Sequence, residues 1–419
     1  MNQWLQQVIE HGQSCDDWLS PLRAQSLAKL HTMDWPHRRI ERWKYTSLNA
    51  FDDLTLNRDT AVKTAPPGAI EGLDSIDLVF INGILHTDLK TQVLPKGLRI
   101  SGLLETPKSE QDVANNIFNK VKPEHHFFGL VNDVLAQDGL IIDIEANTNI
   151  AKPIRVVSMS TDKQGSHQRI LVRVGANAKV TIIEQEQGDA ASVSTCFAEY
   201  DIGKEAYVEH YRFAMQSAEA MYFGGCHFSL QDHAQLNSTL IAYGSALSRI
   251  DVDIVHNGQY TQAKFNTLYL LGQSEHFDLH STIEHAMPNG TTEENARGII
   301  GDKAKAVFNG RIHIHRDAQK TRAELNNRNL LLSRRGQVNT KPELEIYADD
   351  VQCAHGATIA EIEEDALYYL RSRGIARAEA LVMLNFGFIQ QLINDIPNKH
   401  IAQWLEPKLK SRFVKMQVI

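Results

Sequence analysis

The sequence predicts a mainly β protein: a parallel β-helix set between a mixed, partly helical N-terminal domain and a helical C-terminal domain. Three observations lead there. From about residue 139, short alternating strands follow one another between Gly, Asn, Asp and Ala, as in Arg169–Val174, Lys179–Ile183 and Arg311–His315. Helical periodicity is almost absent until about residue 362. Corners of small, polar and then apolar residues recur around Ala178, Ala206, Ala234 and Ala263, spaced 28, 28 and 29 residues apart. A steady period of this size marks stacked supersecondary units. Two or more strands and no helix per unit describe a solenoid, whose core is buried between neighbouring turns. A β-sandwich with even turns fits the same spacing, so stacking of these four alanines at one corner is the discriminating expectation.

The elements follow in order. Trp4, Leu5, Val8 and Ile9 share one helical face, and Leu19, Leu22, Leu27 and Leu30 suggest another. Residues 1 to about 50 therefore read as helical, with a stop at Trp35-Pro36, because a residue before proline is pushed out of the α region. Ala65-Pro66-Pro67-Gly68 is a loop signal. Ile76–Ile81 reads as a buried strand turning at Asn82-Gly83. This gives an N-terminal domain over 1–135 and a β-helix over 136–361. In the C-terminal domain, 362–419, Asp365–Arg373 is a short helix stopped by Gly374. Arg377–Ile393 carries the stripe Ala380, Leu381, Leu384, Phe388 and Leu392 and breaks at Asn394–Pro397. A last helix holds Ile401, Trp404 and Leu405 before a basic end at Lys408, Lys410, Arg412 and Lys415.

Composition narrows the function. The chain has 419 residues, 42% of them hydrophobic, enough for two or three domains with a sizeable core. The net charge of −8 argues against nucleic acid as the main partner, because phosphate binding needs clustered cations. The first residues carry no basic leader and apolar run, and no apolar stretch approaches the ~20 residues of a membrane span. Cys15, Cys196, Cys226 and Cys353 are scattered and form no CxxC pair, which fits free thiols. A cytoplasmic protein that binds neither membrane nor nucleic acid is expected.

Phosphate-binding loops, nucleophile elbows and HExxH helices are absent from the sequence, which points away from an ATPase or hydrolase. Histidines are plentiful: His313 and His315 alternate on a strand, and His276, His280 and His285 lie close together. Their spacing matches no standard metal pattern, so they read as polar residues on the outer face of the solenoid. In Leu344–Gly356, an extended Cys353 and His355 point to the same side, about 7 Å apart. Thiolate and imidazole suit zinc, iron or an iron–sulfur cluster. Two ligands do not close a tetrahedral site: either a partner chain completes it, or the pair is a buried cysteine and a hydrogen-bonded histidine. Asp349-Asp350 offers a rival reading, a β-helix enzyme cutting carbohydrate with paired acids. Adjacent strand residues face opposite sides, however, and cannot easily share one substrate bond.

The stretches Phe308–Ile312, Ala318–Thr321, Asn329–Ser333, Thr340–Ile346, Ala348–Val351, Cys353–Thr358 and Tyr369–Gly374 resemble the SufB/SufD family of the SUF iron–sulfur cluster assembly scaffold. Pro36–Thr46, Asn82-Gly83 and Ala136–Leu140 are similar to its N-terminal part, while 51–75 and 100–130 match least. Within the family the chain looks like the SufD branch, lacking the cysteine-rich N-terminal region of SufB. The resemblance implies a right-handed parallel β-helix and a non-catalytic scaffold subunit, paired with SufB and carrying the SufC ATPase on the C-terminal helices. It allows a homodimer of the isolated chain. It places His355 at the SufB-facing interface with Cys353 beside it, near iron or a nascent cluster, with none held tightly by the chain alone. Cys196 and Cys226 match no SufD motif and read as core thiols. Tyr368, Arg371 and Arg373 are the expected contacts to SufC, and Leu344–Val351 is expected at a subunit interface.

Overall fold

A computed structural model describes residues 2–57, 67–136, 138–161, 165–188 and 191–416. The predicted loop at 65–68 lies partly outside these residues, as does Gln137. Helices α1 (Gln3–Ser14) and α2 (Ser20–Thr32) open the chain. They are followed by strands β1 (Ile76–Ile81), β2 (Ile84–Leu85) and β3 (Leu98–Gly102), then helices α3 (Lys108–Ile117) and α4 (Phe127–Leu135). Sixteen strands come next: β4 (Asp138–Ile144), β5 (Ile154–Ser160), β6 (Gly165–Val174), β7 (Lys179–Gly188), β8 (Val193–Ile202), β9 (Tyr207–Ala214), β10 (Met221–Leu230), β11 (Gln235–Tyr243), β12 (Leu247–His256), β13 (Gln262–Leu271), β14 (His276–His285), β15 (Thr291–Ile300), β16 (Lys305–Ile314), β17 (Arg322–Leu331), β18 (Gln337–Ile346) and β19 (Gln352–Glu361). Helices α5 (Glu364–Ser372), α6 (Arg377–Asn394) and α7 (Lys399–Met416) close it.

From β4 on, even-numbered strands pair in parallel in one sheet and odd-numbered strands in the other. The chain therefore winds as a flattened β-solenoid of eight turns. The first helical stretch ends at Thr32, before Trp35-Pro36, and short 3-10 turns replace helix beyond it. Asn82 and Gly83 take the left-handed conformation at φ 50° and 80°, making the tight hairpin the sequence asks for. Strand β1 then pairs in parallel with β5, so the N-terminal segment adds a strand to the solenoid sheet.

The corner alanines explain the repeat. Ala178, Ala206 and Ala234 each stand immediately before β7, β9 and β11, fully buried and in register. The residue ahead of each is left-handed: Asn177 at 60°, Glu205 at 58° and His233 at 56°. Their N–H groups donate to the next turn, to Lys204, Asp232 and Gln259 carbonyls, each at 2.8 Å. Ala263 departs from this column. Gln262 pairs with Gln235, so Thr261 holds the corner and Ala263 lies inside the strand opposite Leu236. The turn from Ala234 to Thr261 is one residue shorter than the two 28-residue turns before it, and Thr261 fits because its hydroxyl faces His256 Nδ1 at 2.6 Å.

The lumen is apolar over most of its length but carries buried charge near β7–β10. Arg212 sits between Glu186 Oε1 at 2.7 Å and Glu184 Oε2 at 3.1 Å, and donates to the carbonyls of Cys196 and Gly225 at 2.9 Å each. Gly224 is required here: a Cβ would lie 2.8 Å from the guanidinium and 2.4 Å from the Tyr222 hydroxyl. Further along, Glu294 hydrogen-bonds Ser281 and its second oxygen has no protein partner. Burial pushes its carboxyl up to about 7. A carboxyl raised on folding keeps its proton in the folded state while the unfolded chain loses it. Its stabilising effect is therefore full below about pH 4.5 and fades as pH rises to about 7. Glu294→Gln should flatten this stretch of the stability–pH curve by an amount on the order of 3 kcal/mol, checked by denaturant midpoints at pH 5 and pH 8.

Two helical units cover the outer faces. Trp4, Leu5, Val8, Trp43, Phe51, Phe127 and Phe128 pack on Phe197, Phe223 and Leu247 of the even sheet. Helices α6 and α7 pack on Tyr211, Phe213, Ile241, Leu268 and Ile299 of the odd sheet. The buried line of α6 is Ala380, Asn385, Ile389, Leu392 and Ile393. Leu381, Leu384 and Phe388 of the predicted stripe are only partly covered, because the face toward the sheet is rotated from the one hydropathy selects.

Candidate functional site

Cys353 and His355 lie on β19, the last strand of the odd sheet. Cys353 pairs with Ala323 and His355 with Leu325, both wholly buried core residues. In parallel register, paired residues face the same side of the sheet. Both side chains therefore belong to the lumen face, as period-two alternation requires. Among the described residues no further turn stacks beyond β18 and β19, so this stretch of lumen is uncovered: His355 is exposed and Cys353 half-buried. Burial pushes the Cys353 thiol up. A thiol with a raised pKa is less often the thiolate a metal requires, which makes the imidazole the readier donor of the two.

The open end is apolar. Ile346, Tyr347 and Ile359 are 40%, 60% and 49% exposed, and Val338, Leu344, Val351 and Cys353 cover the core only in part. Leu344–Ile346 thus lies on the exposed edge of the even sheet, where unpaired strand groups invite another chain. On the outer face beside it, Arg311 and His313 share Glu345, with His313 Nδ1 at 2.9 Å, and hold that carboxyl down at about 2. His315 pairs with Glu284. Asp349 and Asp350 are exposed at the bend between β18 and β19, outside any strand.

The outer-face reading of the histidines holds for His313, His315, His276 and His280 but not for His285. His285 lies in the lumen, stacked on His256 with ring centroids 4.0 Å apart, both facing the Thr292 hydroxyl at 3.0 Å. The Thr261 and Thr292 hydroxyls partner both nitrogens of the buried His256, whereas Nδ1 of His285 is buried without a hydrogen-bond partner. Cys196 and Cys226 are fully buried core thiols, as expected, with burial raising both, Cys226 to about 12.

Tyr368, Arg371 and Arg373 all face solvent on and just after α5, whose sole buried residue is Leu367. The Arg373 guanidinium lies 5.2 Å over the exposed Tyr369 ring. A crevice of about 1290 Å³ runs between α7 and the solenoid past Tyr243, Glu275, Trp404 and Arg412, away from the terminal turn.

Sequence reasoning missed two buried groups with three donors each, His126/His227/Asp253 and Glu184/Glu186/Cys196. The second is already neutralised by Arg212, and its thiol is held protonated by burial, so it reads as an ion-paired network. Charged residues at alternate strand positions, Arg249, Asp251 and Asp253 or Glu184 and Glu186, were the signal available in the sequence.

Comparison with known proteins agrees with this architecture. The model of the SUF system FeS cluster assembly SufBD core domain matches residues 156–388, and that of the SufBD N-terminal region matches 5–156. The chain is 27% identical to the iron–sulfur cluster assembly protein SufD of Escherichia coli, over 94% of this chain and 93% of that one. It is 28% identical to a SufBD family assembly protein of Synechocystis over 88% and 85%. It is 21% identical to the SufB assembly protein of Bacillus subtilis over 92% and 87%. No helix among the described residues is long and apolar enough to cross a membrane. With most of its β-solenoid matched by the core model and its N-terminal unit by the second, this chain belongs to the SufB/SufD family of iron–sulfur cluster assembly proteins.

Proposed function

We propose that the chain is a SufD-type, non-catalytic scaffold subunit whose open last turn docks a SufB-type partner, with Cys353 and His355 forming half of a site for iron or a nascent cluster. The cluster is cargo, held between two subunits. The observation that carries this reading is the uncovered lumen end, where a thiol and an imidazole share one face within an apolar rim. A partner stacking there covers Ile346, Tyr347 and Ile359, pairs the two free strand edges and supplies the missing ligands. His355 would be the donor, and Cys353 its neighbour. In the isolated chain the coordination sphere is open to water, so iron binds weakly. A second copy of the chain could cover the same face when SufB is absent.

The ATPase partner is assigned to α5. Tyr368, Arg371 and Arg373 project from an element that uses one residue for its own packing, whereas α6 and α7 are committed to the solenoid. The carbohydrate-enzyme alternative loses ground on geometry, since Asp349 and Asp350 sit at an exposed bend outside any strand.

Anaerobic co-expression with SufB- and SufC-type partners tests the assignment. The chain should co-purify with both and carry iron and sulfide. Ile346→Asp/Ile359→Asp should release the SufB-type subunit. Tyr368→Ala/Arg371→Glu/Arg373→Glu should release the ATPase and leave the SufB-type subunit bound. Retention of both partners by both variants would refute these surfaces, and glycan cleavage by the isolated chain would refute the scaffold reading.

A further inference from the structure

The side chains of His126, His227 and Asp253 meet where the N-terminal unit lands on the even sheet. His227 on β10 and Asp253 on β12 are direct register partners. His126 immediately precedes α4, which is pinned by the Phe128 ring stacked on Phe223 with centroids 3.6 Å apart. That packing brings His126 Nε2 to 2.7 Å from Asp253 Oδ2, the same oxygen that His227 Nδ1 approaches at 2.8 Å. All three side chains are buried, at 4%, 0% and 4% exposure.

We propose that these three residues form a binding site for a divalent first-row metal ion of the zinc or ferrous class, which fastens the N-terminal unit to the solenoid. Two imidazoles and one carboxylate are a donor set such ions take, with a position left open. An ion about 2.0–2.2 Å from each donor spaces those donors about 3.4 Å apart, so the group needs to widen by roughly half an ångström. The surroundings are those of a metal ligand. His126 Nδ1 faces Asp251 Oδ1 at 3.6 Å, and Asp251 is fixed by Arg249 Nη2 at 2.9 Å. A carboxylate behind an imidazole selects the tautomer whose other nitrogen offers its lone pair outward. His125 beside them is exposed, its ring 4.3 Å from that of His126, on the solvent side of the group.

The open-end donors must be removed first, so the full chain is tested in a Cys353→Ser/His355→Ala background. Loaded with cobalt(II) and desalted, it should retain one equivalent, displaceable by zinc. The cobalt should show a visible d–d band and an X-ray absorption signature of imidazole and oxygen without sulfur. Metal should raise the melting temperature. His126→Gln and Asp253→Asn, with far-UV circular dichroism checking the fold, should retain no cobalt. A background chain that desalts free of metal, a sulfur-containing shell, or undiminished metal in the folded variants would overturn the site. The spectroscopic result stands even if a variant fails to fold.

Discussion

His355→Ala is expected to lower the iron and sulfide recovered per assembled complex by about tenfold or more, because even outer-sphere partners of metal ligands are worth about 10–100-fold in affinity. Assembly should survive. The imidazole is exposed, so its loss should change the chain's own stability by less than about 0.5 kcal/mol. Cys353→Ser should have the smaller effect on cluster content, since burial favours the protonated thiol. Iron and sulfide are measured on anaerobically purified complex, with subunit stoichiometry from the same sample. Unchanged cluster content in an intact His355→Ala complex would remove the ligand role.

The largest effect on stability is expected from Arg212→Met. Removing the guanidinium leaves Glu184 and Glu186 buried in the lumen with His210 as the remaining cationic candidate near Glu184. Breaking a buried ion pair from one side costs about 3–5 kcal/mol, because an uncompensated charge stays out of water. The same argument predicts rescue. Glu184→Gln/Glu186→Gln/Arg212→Met removes all three charges together and should recover much of the loss. In a solenoid the damage is passed between neighbouring turns, so hydrogen exchange should rise first in β7–β10. A stability equal to wild type in the single variant would show that the lumen charges are not held as this ion-paired network.

The N-terminal unit is held to the even sheet by apolar packing and by buried charge together. Its packing is spread over Trp4, Phe51, Phe127 and Phe128 against Phe223, and its fastening to the sheet also involves buried charge. Arg169 lies between Asp133 and Glu199, with Lys122 3.2 Å from Asp133. These links are polar and long-range, which is why a composition-based reading of residues 1–135 did not reveal them.

What the sequence by itself determined is the local and periodic part of the protein. Alternation fixed which residues of each strand face inward, and so put Cys353 and His355 on one side. Small residues at a near-constant spacing marked the corner at Ala178, Ala206 and Ala234, because a backbone that bends there leaves little room for a larger side chain. Ala263 shows the limit: a turn one residue shorter moves the corner to Thr261, and spacing alone does not say which residue takes the bend. The tertiary structure decided the rest. It is the absence of a turn beyond β18 and β19 that leaves an inward-facing His355 exposed, a property of stacking and not of the strand itself. It is likewise packing that brings His126 to Asp253 across 127 positions of chain, since ligands from different elements carry no shared local pattern. Short-range periodicity is written in neighbouring residues, whereas exposure and convergence depend on which surfaces the folded chain lays against one another.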